Sequence, residues 1–169
     1  MYGNMMTSQH MGGHGGGPFE FVQPNLCLVG IRGKAGASID QLQFLFIDIN
    51  SGRHVESPPF GGNGGNHFCW QAPEGEWIDE IKMEWNEFCQ SIEAKSNGGS
   101  RSRRFGGRGH HRGHFDVQGR RITGVSGKAG ALVDGITFHA CQWSNIETDL
   151  TNSSTNNIYS GFLGYLLYR

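Results

Sequence analysis

One stretch of this chain occurs twice. Gly33-Lys-Ala-Gly-Ala-Ser-Ile-Asp40 reappears as Gly127-Lys-Ala-Gly-Ala-Leu-Val-Asp134. Each copy follows a run of strand character (26–31 and 121–125) and precedes an apolar run (41–47 and 135–140). Each also has a glycine cluster upstream, at 12–16 and at 106–109. Gly12 lies 28 positions before Asp40, and Gly106 lies 28 positions before Asp134. Two matched motifs at one spacing mark a repeated structural unit that cannot bury its own apolar face and must stack on its copies.

A middle copy is then expected. Its glycine cluster is present at 61–65, and Ile81, Met83 and Trp85 alternate with Lys82 and Glu84 in the period of a strand. The position 28 beyond Gly61 is Cys89, where no Gly-x-x-x-Asp occurs. Gly75 to Asp79 has the right letters but falls too early, and reads as the start of a strand. The units are therefore about 12–58, 60–98 and 105–141, and the middle one lacks its acidic loop. Residues 1–11 form a Met-rich tail. Residues 142–169 form an extension that runs from a polar stretch (151–157) to an aromatic end (159–168), read as a strand or an assembly arm.

Composition narrows the fold class. Glycine supplies 28 of 169 residues, roughly 17% against about 7% in an average chain, which disfavours helix. There is no collagen period. The 36% hydrophobic and 11% aromatic content is too high for a wholly disordered chain. The longest apolar runs, such as 44–47, are too short to span a membrane, so no membrane partner is expected. An all-β fold of three small sheets around a shared axis follows, with a generic β-sandwich as the alternative.

Net charge is −1, yet seven arginines lie between Arg101 and Arg121 with Asp116 as the one acid among them. This reads as one basic loop on an acidic body. Arg101, Arg103, Arg104, Arg108 and Arg112 are candidates for binding a polyanion such as a sulfated glycan, because the planar guanidinium matches sulfate and phosphate. The alternative is a solvated loop. His110, His111 and His114, or His10 with His14, lack a joining Cys or acid cluster, so no metal and no cofactor is expected.

Cys27, Cys69, Cys89 and Cys141 form no C-x-x-C pair and allow three disulfide pairings. Asn152-Ser153-Ser154 is a glycosylation sequon. The first residues lack the apolar stretch of a signal peptide. A secreted protein is expected, with a cytoplasmic one as the alternative.

These residues resemble the jacalin-related lectins, whose fold is β-prism I: three Greek-key, four-stranded sheets with pseudo-threefold symmetry. The carriers are Gly-Gly-x-Gly-Gly at 12–16 and 61–65, Gly-x-x-x-Asp at 36–40 and 130–134, and Gly75-Glu-Trp-Ile-Asp-Glu-Ile81. Arg103-Arg104-Phe105-Gly106 is similar to the entry of the third unit in griffithsin-like members. The likeness covers about 10–141. It implies a sugar held between the Gly-Gly loop of one unit and the Gly-x-x-x-Asp loop of the unit before it. One site then combines Gly16 with Gly130, Ala131, Leu132 and Asp134. The other combines Gly65 with Gly36, Ala37, Ser38 and Asp40. The third pair, 106–109 with the region near Cys89, is eroded in both halves.

A carboxylate accepts strong hydrogen bonds from two adjacent hydroxyls, and glycine lets amides approach a ligand closely. The resemblance directs Asp40 and Asp134 to O4 and O6, which favours mannose or glucose over galactose. An isolated Asp in such a turn would instead cap its own loop. The expected activity is that of a non-enzymatic lectin for mannose/glucose-type glycans or glycoproteins, with oligomerisation supplying avidity. The competing readings are a matrix protein that assembles through its tails and a polyanion binder acting through 101–114. No catalytic triad or paired carboxylates stand at an interpretable spacing.

Overall fold

The computed structural model describes residues 5–143. In chain order, β1 (Met6–Thr7), β2 (Met11–Gly12) and β3 (Gly17–Val22) precede a long hairpin, β4 (Leu26–Ala35) and β5 (Ile39–Asp48). Then come β6 (His54–Glu56), β7 (Phe60–Gly61) and β8 (Asn66–Gln71), followed by a second hairpin, β9 (Ile78–Trp85) and β10 (Cys89–Ser96). The last group is β11 (Phe105–Gly106), β12 (His111–Asp116), β13 (Arg121–Ala129) and β14 (Val133–Cys141). No helix among the described residues is long and apolar enough to cross a membrane.

Three antiparallel sheets result. Their orders are β6-β5-β4-β8 with β7 also on β5, β11-β10-β9-β12, and β1-β14-β13-β3 with β2 also on β14. Each is a four-strand path whose outer edge is broken: β6 and β7 share β5, β1 and β2 share β14, and an isolated bridge Lys95–Arg101 continues the edge begun by β11. This is the β-prism I architecture expected from the sequence. The sequence units are displaced from the sheets. Unit 12–58 gives β3 to one sheet and β4 to β6 to the next, and the other two units are divided in the same way. Within the segment set apart at 1–11, Met6 and Thr7 pair with Ala140 and His139. From 144 onward the extension, with its sequon and aromatic end, lies outside the described residues.

Strand alternation builds the core. Ile81 and Met83 are buried while Lys82 between them is exposed. Phe44, Phe46 and Phe138 are wholly buried where the sheets meet, with Phe44 edge-on to Phe138. Burying such rings removes roughly 150–250 Å² each from water, so they carry much of the apolar stabilisation. The seams between sheets repeat one device. The residue before each Gly-Gly pair packs on the third residue of an outer strand: Phe60 stacks on Phe19 at 4.0 Å and Phe105 on Phe68 at 4.3 Å. At the third seam Met11 takes this place, and its Sδ lies 2.7 Å from where a Cβ on Gly113 would stand.

A smaller cluster of Cys27, Val29, Ile49 and Trp77 lies on the other face of β4. A bulge between Leu28 and Gly30 lets β4 serve both clusters. Arg121 is buried beside this cluster and donates to the carbonyls of Pro24 (2.6 Å) and Leu26 (2.9 Å). All four cysteines are free, with Cys69 alone exposed.

Candidate functional site

The three Gly-Gly loops and the three hairpin turns form three corners. At each, a glycine amide donates to a hairpin carbonyl at 2.8 Å: Gly13 to Asp134, Gly62 to Asp40 and Gly107 to Gln90. The loops also reach sideways. A Cβ on Gly13, Gly62 or Gly107 would strike the backbone of Glu87, Ala131 or Ala37, each on the turn of a neighbouring sheet. The corners therefore form one packed surface.

The structure brings both sequence-predicted sets together. Bulges at Lys34/Ala35 and Lys128/Ala129 set the pitch of the turns that carry Gly36 to Asp40 and Gly130 to Asp134. Gly16 and Gly65 adopt φ of +78° and +80°, a conformation that side chains other than glycine rarely take. A Cβ on Gly16 would lie 2.6 Å from Asp134 Oδ1, and one on Gly65 would lie 2.5 Å from Asp40 Oδ2. The glycines thus bring backbone directly against the carboxylates.

The two carboxylates have no side-chain partner among the described residues. Asp48 accepts from the amides of Asn50 and Ser51, and Asp116 from that of Gln118, as turn-capping aspartates do. Among the described residues, neither Asp40 nor Asp134 makes a side-chain hydrogen bond, although Asp134 is only 5% exposed. The amides of Gly16, Gly65, Ala37, Ser38, Ala131 and Leu132 likewise donate to nothing described. Each corner therefore presents one carboxylate ringed by unspent N–H donors, a set complementary to adjacent hydroxyls that both donate and accept. Cys89 lies beneath the Asp134 corner; burial first, and the nearby Asp134 second, push its thiol up to about 12.

The third corner holds the turn that the 28-residue spacing misses. Asn86 to Gln90 occupies the Gly-x-x-x-Asp position, one residue later than that spacing predicts, and its turn bond (Asn86 N to Phe88 O) matches those of Gly36 and Gly130. Here the side chains at both ends of the turn are used internally. Gln90 accepts from Ser38 Oγ and donates to Phe88 O, while Asn86 Oδ1 takes the amide of His110 at 2.8 Å. His110 stands where Gly16 and Gly65 stand in the other loops.

The two open corners differ in one support. Gln41, next to Asp40, donates from Nε2 to Gly62 O at 3.1 Å. The residue next to Asp134 is Gly135, and the ring of His10 fills the space a Cβ there would need. His10 Nε2 donates to Gly13 O at 2.8 Å and so supplies the same bond from another strand connection. Nothing in the sequence pattern pointed to His10 in this role.

The comparisons with known proteins agree with this geometry. The sequence profile of the Jacalin-like lectin domain matches residues 8–139. The chain belongs to the jacalin-like lectin family. It is 23% identical over 133 residues to Horcolin from Hordeum vulgare subsp. vulgare, a match spanning 76% of this chain and 91% of Horcolin. Its fold is that of a mannose binding jacalin related lectin from Ananas comosus, with TM-score 0.71, 23% identity, and 82% and 99% of the two chains covered. Malaysian banana lectin is similar at TM-score 0.70 and 20% identity, over 81% of this chain and 98% of that one.

The basic loop of this jacalin-like domain is arranged differently from the sequence expectation. Arg121 is buried and Arg120 lies against Met6 Sδ, so these two of the seven arginines leave the patch. The other five lie along the β9–β10 sheet, four of them beside its acids. Arg101 faces Glu80 at 3.8 Å, and Arg103 lies 5.1 Å above the Phe105 ring. Arg104, Arg108 and Arg112 converge on Glu84 at 3.6, 3.8 and 3.6 Å. Glu80, His114 and Asp116 bring three ligand atoms within 4.8 Å of one another, but Lys82 and Arg101 already bracket Glu80 with positive charge.

Proposed function

We propose that this jacalin-like protein is a non-catalytic lectin that binds mannose- or glucose-type sugars at two corners of the prism. One is formed by Gly16, Gly130, Ala131, Leu132 and Asp134. The other is formed by Gly65, Gly36, Ala37, Ser38 and Asp40. The observation that carries the reading is the pair of carboxylates without partners among the described residues, each held against a left-handed glycine and ringed by unspent amides. The carboxylate accepts from two neighbouring hydroxyls, and the amides donate to ring and hydroxyl oxygens. The likeness to a mannose binding lectin supports the choice of sugar.

No aromatic ring occupies the inner positions of either turn, which read Ala-Ser-Ile and Ala-Leu-Val, so stacking adds little. Affinity per site is then near millimolar, about −4 kcal/mol, and clustered glycans on glycoproteins gain from two sites on one chain. The test is Asp40→Ala with Asp134→Ala, followed by titration with methyl α-mannoside observed by NMR. The expected result is loss of binding with unchanged amide dispersion. Wild-type binding by the double variant would show that the aspartates do not hold the sugar.

A further inference from the structure

The β9–β10 sheet carries on its outer face a groove of about 690 Å³ that the sugar corners do not use. Its lining includes Lys82, Arg104, Arg108 and Arg112 against Glu84 and Glu93, an excess of positive charge. We infer that this groove is a second ligand site, one that takes the sulfate groups of a sulfated saccharide.

Hydrogen-bond accounting carries the inference. Each guanidinium holds five N–H donors in a planar fork, whereas one carboxylate offers about four lone-pair positions. The three arginines stand 3.6–3.8 Å from Glu84, within ion-pair range but beyond hydrogen-bonding distance. None of them donates a hydrogen bond among the described residues, and Arg104 Nε is shielded from solvent without a partner. Glu84 gathers the forks and, by accepting from the Gly109 amide at 3.4 Å, ties the 106–110 loop to the sheet. It leaves most of the donors unspent. A sulfate ester brings three terminal oxygens of matching geometry and a weakly held hydration shell, which suits arginine better than lysine.

No Phe, Tyr or Trp lines the groove, and the imidazole of His114 is the one ring in its lining, so it offers little platform for successive stacked bases and suits single-stranded nucleic acid poorly. Its upper edge is the 106–110 loop, whose Gly107 packs on Ala37 of the Asp40 corner. The groove and the Asp40 corner therefore share this loop, and the proposed ligand is one saccharide chain running from the corner to the arginines. This last step rests on the sugar reading of the corners; the anion site itself does not.

The experiment is calorimetric titration of the full chain at 0.15 M NaCl with a heparin octasaccharide, its desulfated counterpart and poly(U). Arg108 and Arg112 have side chains 69% and 76% exposed, so Arg108→Ala with Arg112→Ala leaves the fold intact, checked by thermal melting. Expected are binding of the sulfated octasaccharide only, a loss of tenfold or more in the double variant, and a shallower salt dependence as two contacts disappear. Asp40→Ala with Asp134→Ala keeps the heparin binding, so failure of the sugar corners is seen separately. Arg108→Lys with Arg112→Lys restores charge but not the fork, and recovers only part of the affinity. Failure of the wild type to bind overturns the proposal, as does equal binding by the double alanine variant or by the desulfated chain. Tighter binding of poly(U) than of the octasaccharide would reassign the groove to nucleic acid.

Discussion

At the Asp40 corner, the hairpin presents a carboxylate with no described partner, and Gly65 brings backbone up against it. At the Gln90 corner, the same backbone position carries an amide side chain bonded to Ser38 and Phe88, and the loop amide of His110 is bonded to Asn86. The main-chain bond that defines the corner is 2.8 Å in both. Scaffold and ligand capacity are therefore separable here. The turn is maintained by backbone hydrogen bonds and seam packing, whichever side chains it carries. Capacity depends on whether polar groups are left over after the turn is made. The Gln90 corner spends its side chains on itself, whereas the open corners keep a carboxylate and neighbouring amides without a described partner.

Gly65→Ala should disturb the comparison most. The new methyl meets Asp40 Oδ2 at 2.5 Å and Ala35 backbone at 2.8 Å, and alanine at φ +80° costs about 1 kcal/mol before any clash. Methyl α-mannoside titration by NMR should show the Asp40 corner weakened more than tenfold, with the Asp134 corner unchanged. Equal weakening of both corners would mean that they are coupled and not independent.

Opening the closed corner comes next in size. Asn86→Gly with Gln90→Asp and His110→Gly should add a third, millimolar-class site, read as a third set of shifted amides in the same titration. Gln90→Asp alone should not, because Asn86 still holds the His110 amide. Gain of a site by the single variant would show that the carboxylate alone decides capacity.

The smallest effect concerns the supports of the open corners. Gln41→Leu removes one hydrogen bond to Gly62 O, worth about 1 kcal/mol or roughly fivefold in affinity, at the Asp40 corner only. His10→Leu does the same at the Asp134 corner through Gly13 O, and His10→Gln, which restores an N–H donor, recovers it. Loss of both corners from either change would mean that the loops are held by packing and not by these donors.

Much of the scaffold was legible in the chain. Period-two alternation placed Ile81 and Met83 inside, and paired glycines marked the left-handed turns, because both are properties of a few consecutive residues. The union of Gly16 with Asp134 was reachable through the family resemblance, not through spacing, since the two lie at opposite ends of the domain. The turn at 86–90 escaped the spacing because the connection before β9 (72–77) is longer than those before β4 (23–25) and β13 (117–120).

What the sequence determined by itself is local: strand periodicity, glycine-permitted turns, and the placing of an aspartate after each of two turns. Tertiary structure decided which groups stay unspent. Asp48 and Asp40 look alike as letters, yet one caps its own turn and the other does not. The arginines of 101–112 read as a polyanion site or a solvated loop, and only the fold shows that β9 sets Glu84 against Arg104, Arg108 and Arg112. Asp48 finds its donors two and three residues along the chain. Ser38 for Gln90 and Glu84 for the arginines come instead from distant parts of the chain that only closure around the prism brings into range, and no pattern confined to neighbouring residues encodes those.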